Sequence, residues 1–326
     1  MINLPLNCDF TGKVVVITGA GGVLCGDMAR AYAQAGAKVA ALDLNEEAVK
    51  KLADELKAEG YICEGYKANV LEPEALEAVH QQVLADLGPC DILINGAGGN
   101  NPRASSDNEY MTPDTEGCKT FFDLEESGLK FVFDLNITSA FLVTQVFAED
   151  MVKTGGNIIN ISSMNAFRPL TKIPAYSAAK AGISNFTQWL AVHFAPCNIR
   201  VNGIAPGFFV TNQNRALLFN EDGTPTARTG KILAATPMKK FGEITDLLGT
   251  LLWLAVHHKC CIAVISSHIR IGDMNIPQVF RVFQFFICHR KADGLVHFFL
   301  EIQTVTGQHV EKLVQEDALL SVFLHV

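Results

Sequence analysis

KVVVITGAGGVLCG, residues 13–26, is the stretch that decides the fold. Four β-branched apolar residues run into Thr18 and then meet Gly19, Gly21, Gly22 and Gly26, and the Ala-rich segment 24–35 that follows has helical period. Glycines at such a junction let the backbone turn tightly and approach a pyrophosphate at a helix N-terminus. Taken alone, the pattern fits an unliganded glycine-rich turn equally well. Its place directly after the first strand favours the phosphate reading.

Outward from this stretch, short apolar runs alternate with helical segments as far as about residue 204. The runs are KVVVITG, AKVAALDL, YICEGYKANV, CDILINGAG, GNIINISS and NIRVNGIAPG, and the helices fall at 24–35, 45–59, 72–87, 129–153 and 174–195. Each helix is long enough for a right-handed crossover, so the pattern predicts an α/β fold with a doubly wound parallel sheet. Ligands of such sheets bind beyond the carboxyl ends of the strands. Two stretches interrupt the rhythm: 99–127, polar and long for a connection, and 207–242, which reads either as a lid over the cleft or as a surface loop.

Composition narrows the class. A chain of 326 residues, 49% hydrophobic and 18% charged, holds enough apolar material for one large core or for a domain with an appendage. Its net charge of −8 and lack of a basic tract argue against a nucleic-acid partner. No run reaches the length of uninterrupted apolar residues that a membrane span needs, and the N-terminus has no signal-peptide pattern. Nine scattered cysteines suit a reducing compartment, so a cytoplasmic protein is expected. The one metal-like group, His257, His258, Cys260 and Cys261, consists of near neighbours with no second ligand pair, and no metal site is expected.

Chemistry concentrates at strand ends. Asp43, 24 residues beyond Gly19, closes the second run. There a carboxylate can accept both ribose hydroxyls of NAD(H) and repel the 2′-phosphate of NADP(H), unless it is simply an exposed strand-end Asp. Tyr176 and Lys180 share a helix face four residues apart, an arrangement in which the ammonium is expected to lower the phenol's pKa. Ser163 closes the fifth run, thirteen residues before Tyr176, where its hydroxyl could bond the same carbonyl oxygen.

With these residues in place, the sequence resembles the short-chain dehydrogenase/reductase family from about Phe10 to Ala255. The resemblance rests on the TG-initiated glycine loop, NGAG at 95–98, Asn136 in FDLN, ISS at 161–163, YSAAK at 176–180 and PGFFVT at 206–211. It implies a Rossmann-like fold and an NAD-dependent oxidoreductase. By position it makes Tyr176 the general acid/base, Ser163 the orienter of the substrate oxygen, Lys180 the partner of the nicotinamide ribose, and Asn136 the holder of a relay water. It further implies that Asn69 and Val70 flank the adenine, that Asn95, Gly96, Ala97, Pro206 and Gly207 line the cofactor, and that Thr211 meets its carboxamide or phosphate side. Dimers or tetramers built on the 129–153 and 174–195 helices are implied as well.

Within the family, GAGGNNP, SSMNAFRPLTKIPAYSAAK and APGFFVTNQNRALL resemble the D-mannonate oxidoreductase (fructuronate reductase) branch. That implies a keto- or hydroxy-sugar acid as substrate. Arg168 could grip its carboxylate, or be a solvated loop cation, and Asn101, Asn165 and Gln213 could serve its hydroxyls. Oxidation or reduction of another polyol or keto-gluconate remains open, as does a silent or misfolded chain.

Two departures stand out. The glycines are spaced Gly19-x2-Gly22-x3-Gly26 where the family usually has Gly-x3-Gly-x-Gly, so the turn is expected to differ by a residue. From residue 256 the family's final strand and its glycine-bearing ending are missing, and this stretch holds seven of the nine histidines but three of the 26 glycines. Residues 256–326 are therefore expected to form an atypical tail, from a frameshift or gene-model error near codon 256; the DNA sequence there, or intact mass of the native protein, tests that origin.

Overall fold

The computed structural model describes residue 4, residues 7–211 and 214–256, and the backbone of three strands beyond. Six parallel strands form one sheet in the order β3-β2-β1-β4-β5-β6. They are β1 (Val14–Thr18), β2 (Lys38–Asp43), β3 (Cys63–Lys67), β4 (Ile92–Asn95), β5 (Gly156–Ile161) and β6 (Ile199–Ile204). The chain winds outward from β1 to one edge, returns to β4, and winds to the other edge, so the crevice opens between the ends of β1 and β4. The expected doubly wound, Rossmann-like sheet is thus present.

β1 is buried along its whole length because helices cover both of its faces. Val15 and Ile17 pack with Met28 and Tyr32 of α1 (Val23–Gln34), Leu52 of α2 (Glu46–Ala58) and Leu248 and Leu251 of a later helix, Thr245–Ala255. Val14 and Val16 face the opposite core, with Leu76 and Val83 of α3 (Pro73–Asp86) and residues from the helices after β4 and β5. The crossovers are tight. A Cβ on Gly65 would overlap the Val49 carbonyl, so α2 lies almost on the β3 backbone. Gly65→Val is accordingly expected to lower stability by about 2 kcal/mol, read as a fall in Tm.

After β4 the expected 129–153 helix is instead a composite rod: α4 (Glu126–Phe133), a π-turn (Asp134–Thr138) and α5 (Ser139–Phe147). Apolar period runs unbroken through the insertion, which is why one helix was expected. The rod Glu126–Phe147 has the length and mean hydropathy (1.2) of a membrane span, yet it turns Val132, Asn136, Ala140, Val143 and Phe147 inward. α6 (Pro174–His193) follows β5 and starts on a proline whose missing N–H costs nothing in a first turn.

The 207–242 segment contains two helices, α7 (Arg215–Leu218) and α8 (Ala227–Ala235), before α9 (Thr245–Ala255). Its ends are tied together: Gly242 N donates to Phe208 O at 2.9 Å, and Phe209 and Gly242 form a parallel bridge. The tail supplies β7 (Cys261–Ser266), β8 (Phe283–Arg290) and β9 (Val296–Ile302) as a separate antiparallel sheet, with β7 running beside β6. His257, His258 and Cys260 lie outside the described residues.

Candidate active site

The crevice floor is set by Thr18. Its Oγ1 accepts from Gly96 N and Ala97 N, both at 3.1 Å, and so pins the turn after β4 against the end of β1. Thr18 directly precedes Gly19, and that adjacency was the signal for a role the sequence reading passed over. Gly19 has φ +72°, and a Cβ on it would stand 3.0 Å from Ala97 N. Only glycine meets both conditions.

The glycine turn closes from Gly22 N to Gly19 O at 3.0 Å, and α1 begins at Val23 with no side-chain cap. The first N–H groups of this 12-residue helix are left for a ligand. Counted from Gly19, Gly-x3-Gly-x-Gly falls on Val23 and Cys25. The Cys25 thiol fills the space that a side chain on residue 96 would need, so the cysteine and Gly96 fit only as a pair. Burial pushes that thiol up to about 12. A Cβ on Gly26 would stand 3.2 Å from the Ala20 carbonyl.

Asp43 ends β2 beside this turn. Its carboxylate accepts from Gly21 N at 3.0 Å and from Asn45 N at 2.8 Å, and a Cβ on Gly21 would come within 3.0 Å of it. Asn69 caps the turn after β3 by accepting from Leu71 N at 3.2 Å, with Val70 buried beside it. Asn95 points its side chain away from the crevice, donating to Thr144 Oγ1 and Asn160 Oδ1, so at this position only the backbone faces a cofactor. Pro206 is buried and its carbonyl accepts from Met164 N at 3.0 Å; Gly207 is exposed; Thr211 is held by Asn214 Oδ1 at 2.8 Å. An uncapped helix N-terminus, a glycine cradle and a carboxylate at the end of β2 together fit a dinucleotide.

The candidate proton-transfer residues come together from three elements. Ser163, just past β5, hydrogen-bonds the Tyr176 phenol and accepts from Asn165 N at 3.2 Å. Lys180 is buried one turn along α6; its Nζ donates to Ile161 O at 2.8 Å and lies 5.7 Å from the Tyr176 ring centroid. Burial lowers its ammonium to about 8. Asn136 sits in the π-turn, where the extra backbone residue turns its amide toward Gly99: Nδ2 donates to Gly99 O at 2.7 Å and Oδ1 accepts from Gly99 N at 3.2 Å. A Cβ on Gly98 would fall 2.7 Å from Asn136 Oδ1 and 3.1 Å from Lys180 Nζ, which places these two side chains side by side.

One expectation is corrected here. Burial raises the Tyr176 phenol and the Ser163 bond lowers it by less, while Lys180 spends its ammonium on the Ile161 carbonyl. Helical spacing shows that the two residues share a face but not where the ammonium ends up.

The substrate candidates divide. Asn165 is buried and its Oδ1 has no partner among the described residues. Asn101 spends its side-chain oxygen on Arg103 N at 2.9 Å. Arg168 is exposed, and Gln213 lies outside the described residues.

The family model for short chain dehydrogenase matches residues 13–221, and the chain belongs to that family. It is therefore an NAD(P)-dependent oxidoreductase that acts on a small molecule. An uncharacterized oxidoreductase of Haemophilus influenzae is 58% identical over 255 residues, which are 78% of this chain and 90% of that protein. A crystal structure described as a candidate D-mannonate oxidoreductase from Haemophilus influenza, with bound NAD, is 57% identical at a TM-score of 0.74, covering 76% of this chain and 90% of its own. A 2-dehydro-3-deoxy-D-gluconate 5-dehydrogenase of Formosa agariphila is 32% identical over 249 residues, 76% of this chain and 87% of that enzyme.

Proposed function

We propose that this chain is a cytoplasmic NAD(H)-dependent reductase of keto-sugar acids, with fructuronate and mannonate as the favoured pair. The observation that carries the reading is the convergence of Asn136, Ser163, Tyr176 and Lys180 beside the glycine cradle and Asp43. NADH, when bound, supplies the hydride. Tyr176, kept protonated by burial, donates the phenolic proton to the carbonyl oxygen that becomes the alcohol. Ser163 holds that oxygen, Lys180 holds the ribose hydroxyls of the cofactor, and Asn136 orders the water that reprotonates the site. Likeness to the D-mannonate oxidoreductase candidate supports the substrate pair, and likeness to the gluconate 5-dehydrogenase supports a keto-gluconate as the second reading. Self-association is assigned to the α5–α6 face, where Phe141, Trp189 and Val192 are exposed.

NADH oxidation measured against D-fructuronate, keto-gluconates and neutral ketoses tests the proposal, and turnover of neutral ketoses alone would reject the sugar-acid reading. Cofactor choice has its own test. Asp43→Ser removes the charge that repels a 2′-phosphate, so NADH affinity is expected to fall about tenfold while NADPH affinity rises. Titration of nicotinamide fluorescence measures both, and an unchanged ratio would remove Asp43 from cofactor selection.

A further inference from the structure

The end of β5 is fastened on two sides. Toward β6 the bonds are backbone to backbone: Ser162 N donates to Ile204 O at 2.7 Å and Met164 N to Pro206 O at 3.0 Å, one on either side of Ser163. Toward α6 side chains make the link. Ser162 Oγ donates to Lys180 O at 3.0 Å, while Lys180 Nζ donates back to Ile161 O at 2.8 Å. Lys180 therefore grips two consecutive residues of the strand end, one with its carbonyl and one with its ammonium. Ser184, a turn further along α6, closes the group: its Oγ lies 3.1 Å from Lys180 O and 2.7 Å from Ser162 Oγ.

Ser162, Lys180 and Ser184 are all buried. Each serine has a single hydroxyl proton, so three contacts share two protons and the two side chains act as one unit. The helix itself gains nothing from this. A serine bonded back to its own i−4 carbonyl slightly destabilises a helix, and alanine forms helix better. What the two hydroxyls add is the reach from α6 across to β5. Ser163 lies one residue beyond Ser162, and Tyr176 one helical turn before Lys180, so this link also sets how Ser163 and Tyr176 face each other.

We propose that Ser162 and Ser184 are positioning residues, which lock the turn of α6 carrying Tyr176 and Lys180 to the end of β5 and so hold the Lys180 ammonium at the Ile161 carbonyl. This rests on the role given to Lys180 above and adds two residues that touch no reacting atom. Neither belongs to the pattern that marked out Ser163, Tyr176 and Lys180.

Ser162→Ala in the full chain strands no buried group, because Ser184 still donates to Lys180 O. Its kcat is expected to fall about tenfold, measured as NADH oxidation with D-fructuronate, or with whichever keto-gluconate or ketose of the panel above wild type reduces. In a K180M background the same substitution should cost about twofold or less, since the group it positions is gone. A second readout needs no cofactor. Burial lowers the Lys180 ammonium to about 8, so wild-type stability rises with pH as the folded chain releases a proton that the unfolded chain keeps. Of the titratable groups beside it, the Cys25 thiol is pushed up to about 12 and the Tyr176 phenol above its usual value of about 10, so neither changes charge between pH 7 and 9.5. In S162A/S184A the ammonium is free to swing toward water, and the rise in Tm over that interval should shrink by roughly half. Should S162A fail to fold, S184A, which places a good helix former in α6, carries the same cycle. A kcat within about twofold of wild type, an equal loss with and without Lys180, or an undiminished rise in Tm would each overturn the positioning role. Wild-type kcat in K180M would instead reject the assignment of Lys180 itself, and the melting curves would still decide whether the serines hold its ammonium.

Discussion

Replacing Tyr176 with Phe is expected to lower kcat about a thousandfold while NADH binding stays within twofold of wild type. The substitution removes one hydroxyl whose partner in the structure is Ser163, and it keeps the ring beside Lys180. Folding should survive, because the phenol is half-buried at the crevice and its oxygen anchors no strand or helix. Burial holds the phenol above its usual pKa of about 10, so near neutral pH it carries the proton that reduction consumes. Stopped-flow turnover with a keto-uronate and fluorescence titration with NADH give the two numbers. Turnover within tenfold of wild type would remove Tyr176 from the proton-transfer step; loss of NADH binding alongside turnover would make it a scaffold residue.

The parts of this site that sequence revealed are those encoded by local pattern. The strand, glycine turn and helix at 13–35 follow from β-branched apolar residues meeting glycines, and the structure places β1 and α1 within a residue or two of the reading. Tyr176 and Lys180 share a helix face by their spacing, and Ser163 thirteen residues earlier together with the family resemblance marks them out. What stayed hidden depends on distance across the fold. The π-turn that aims Asn136 leaves no mark in the apolar period, because one inserted residue shifts the helix face without interrupting it. Asn95 reads as a strand-end polar residue facing a ligand, yet buried partners on α5 and β5 claim its amide. Cys25 and Gly96 lie 71 positions apart, and only packing shows that one fills the space the other leaves empty.

Lys180→Met should make the protein more stable as it makes it inactive. The ammonium is buried at 4% exposure and its pKa falls from 10.5 to about 8, so the folded state pays for a charge that the unfolded chain solvates freely. Below pH 8 lysine is protonated in both states and the full penalty applies, about 3 kcal/mol for a shift of this size. Between pH 8 and 10.5 the unfolded chain still holds a proton that the folded chain has released, so wild-type stability rises with pH and the penalty disappears. Methionine has no charge to bury but leaves the Ile161 carbonyl without its 2.8 Å donor, a loss of about 2 kcal/mol. The variant should therefore gain about 1 kcal/mol at pH 7, read as a higher Tm, and lose that advantage by pH 9.5. Activity should fall about a hundredfold or more, because the residue assigned to the ribose hydroxyls and the proton path is gone. Melting curves of both proteins at the two pH values decide the point: a variant whose Tm relative to wild type does not decline as pH rises would show that Lys180 enters the folded protein without a depressed pKa.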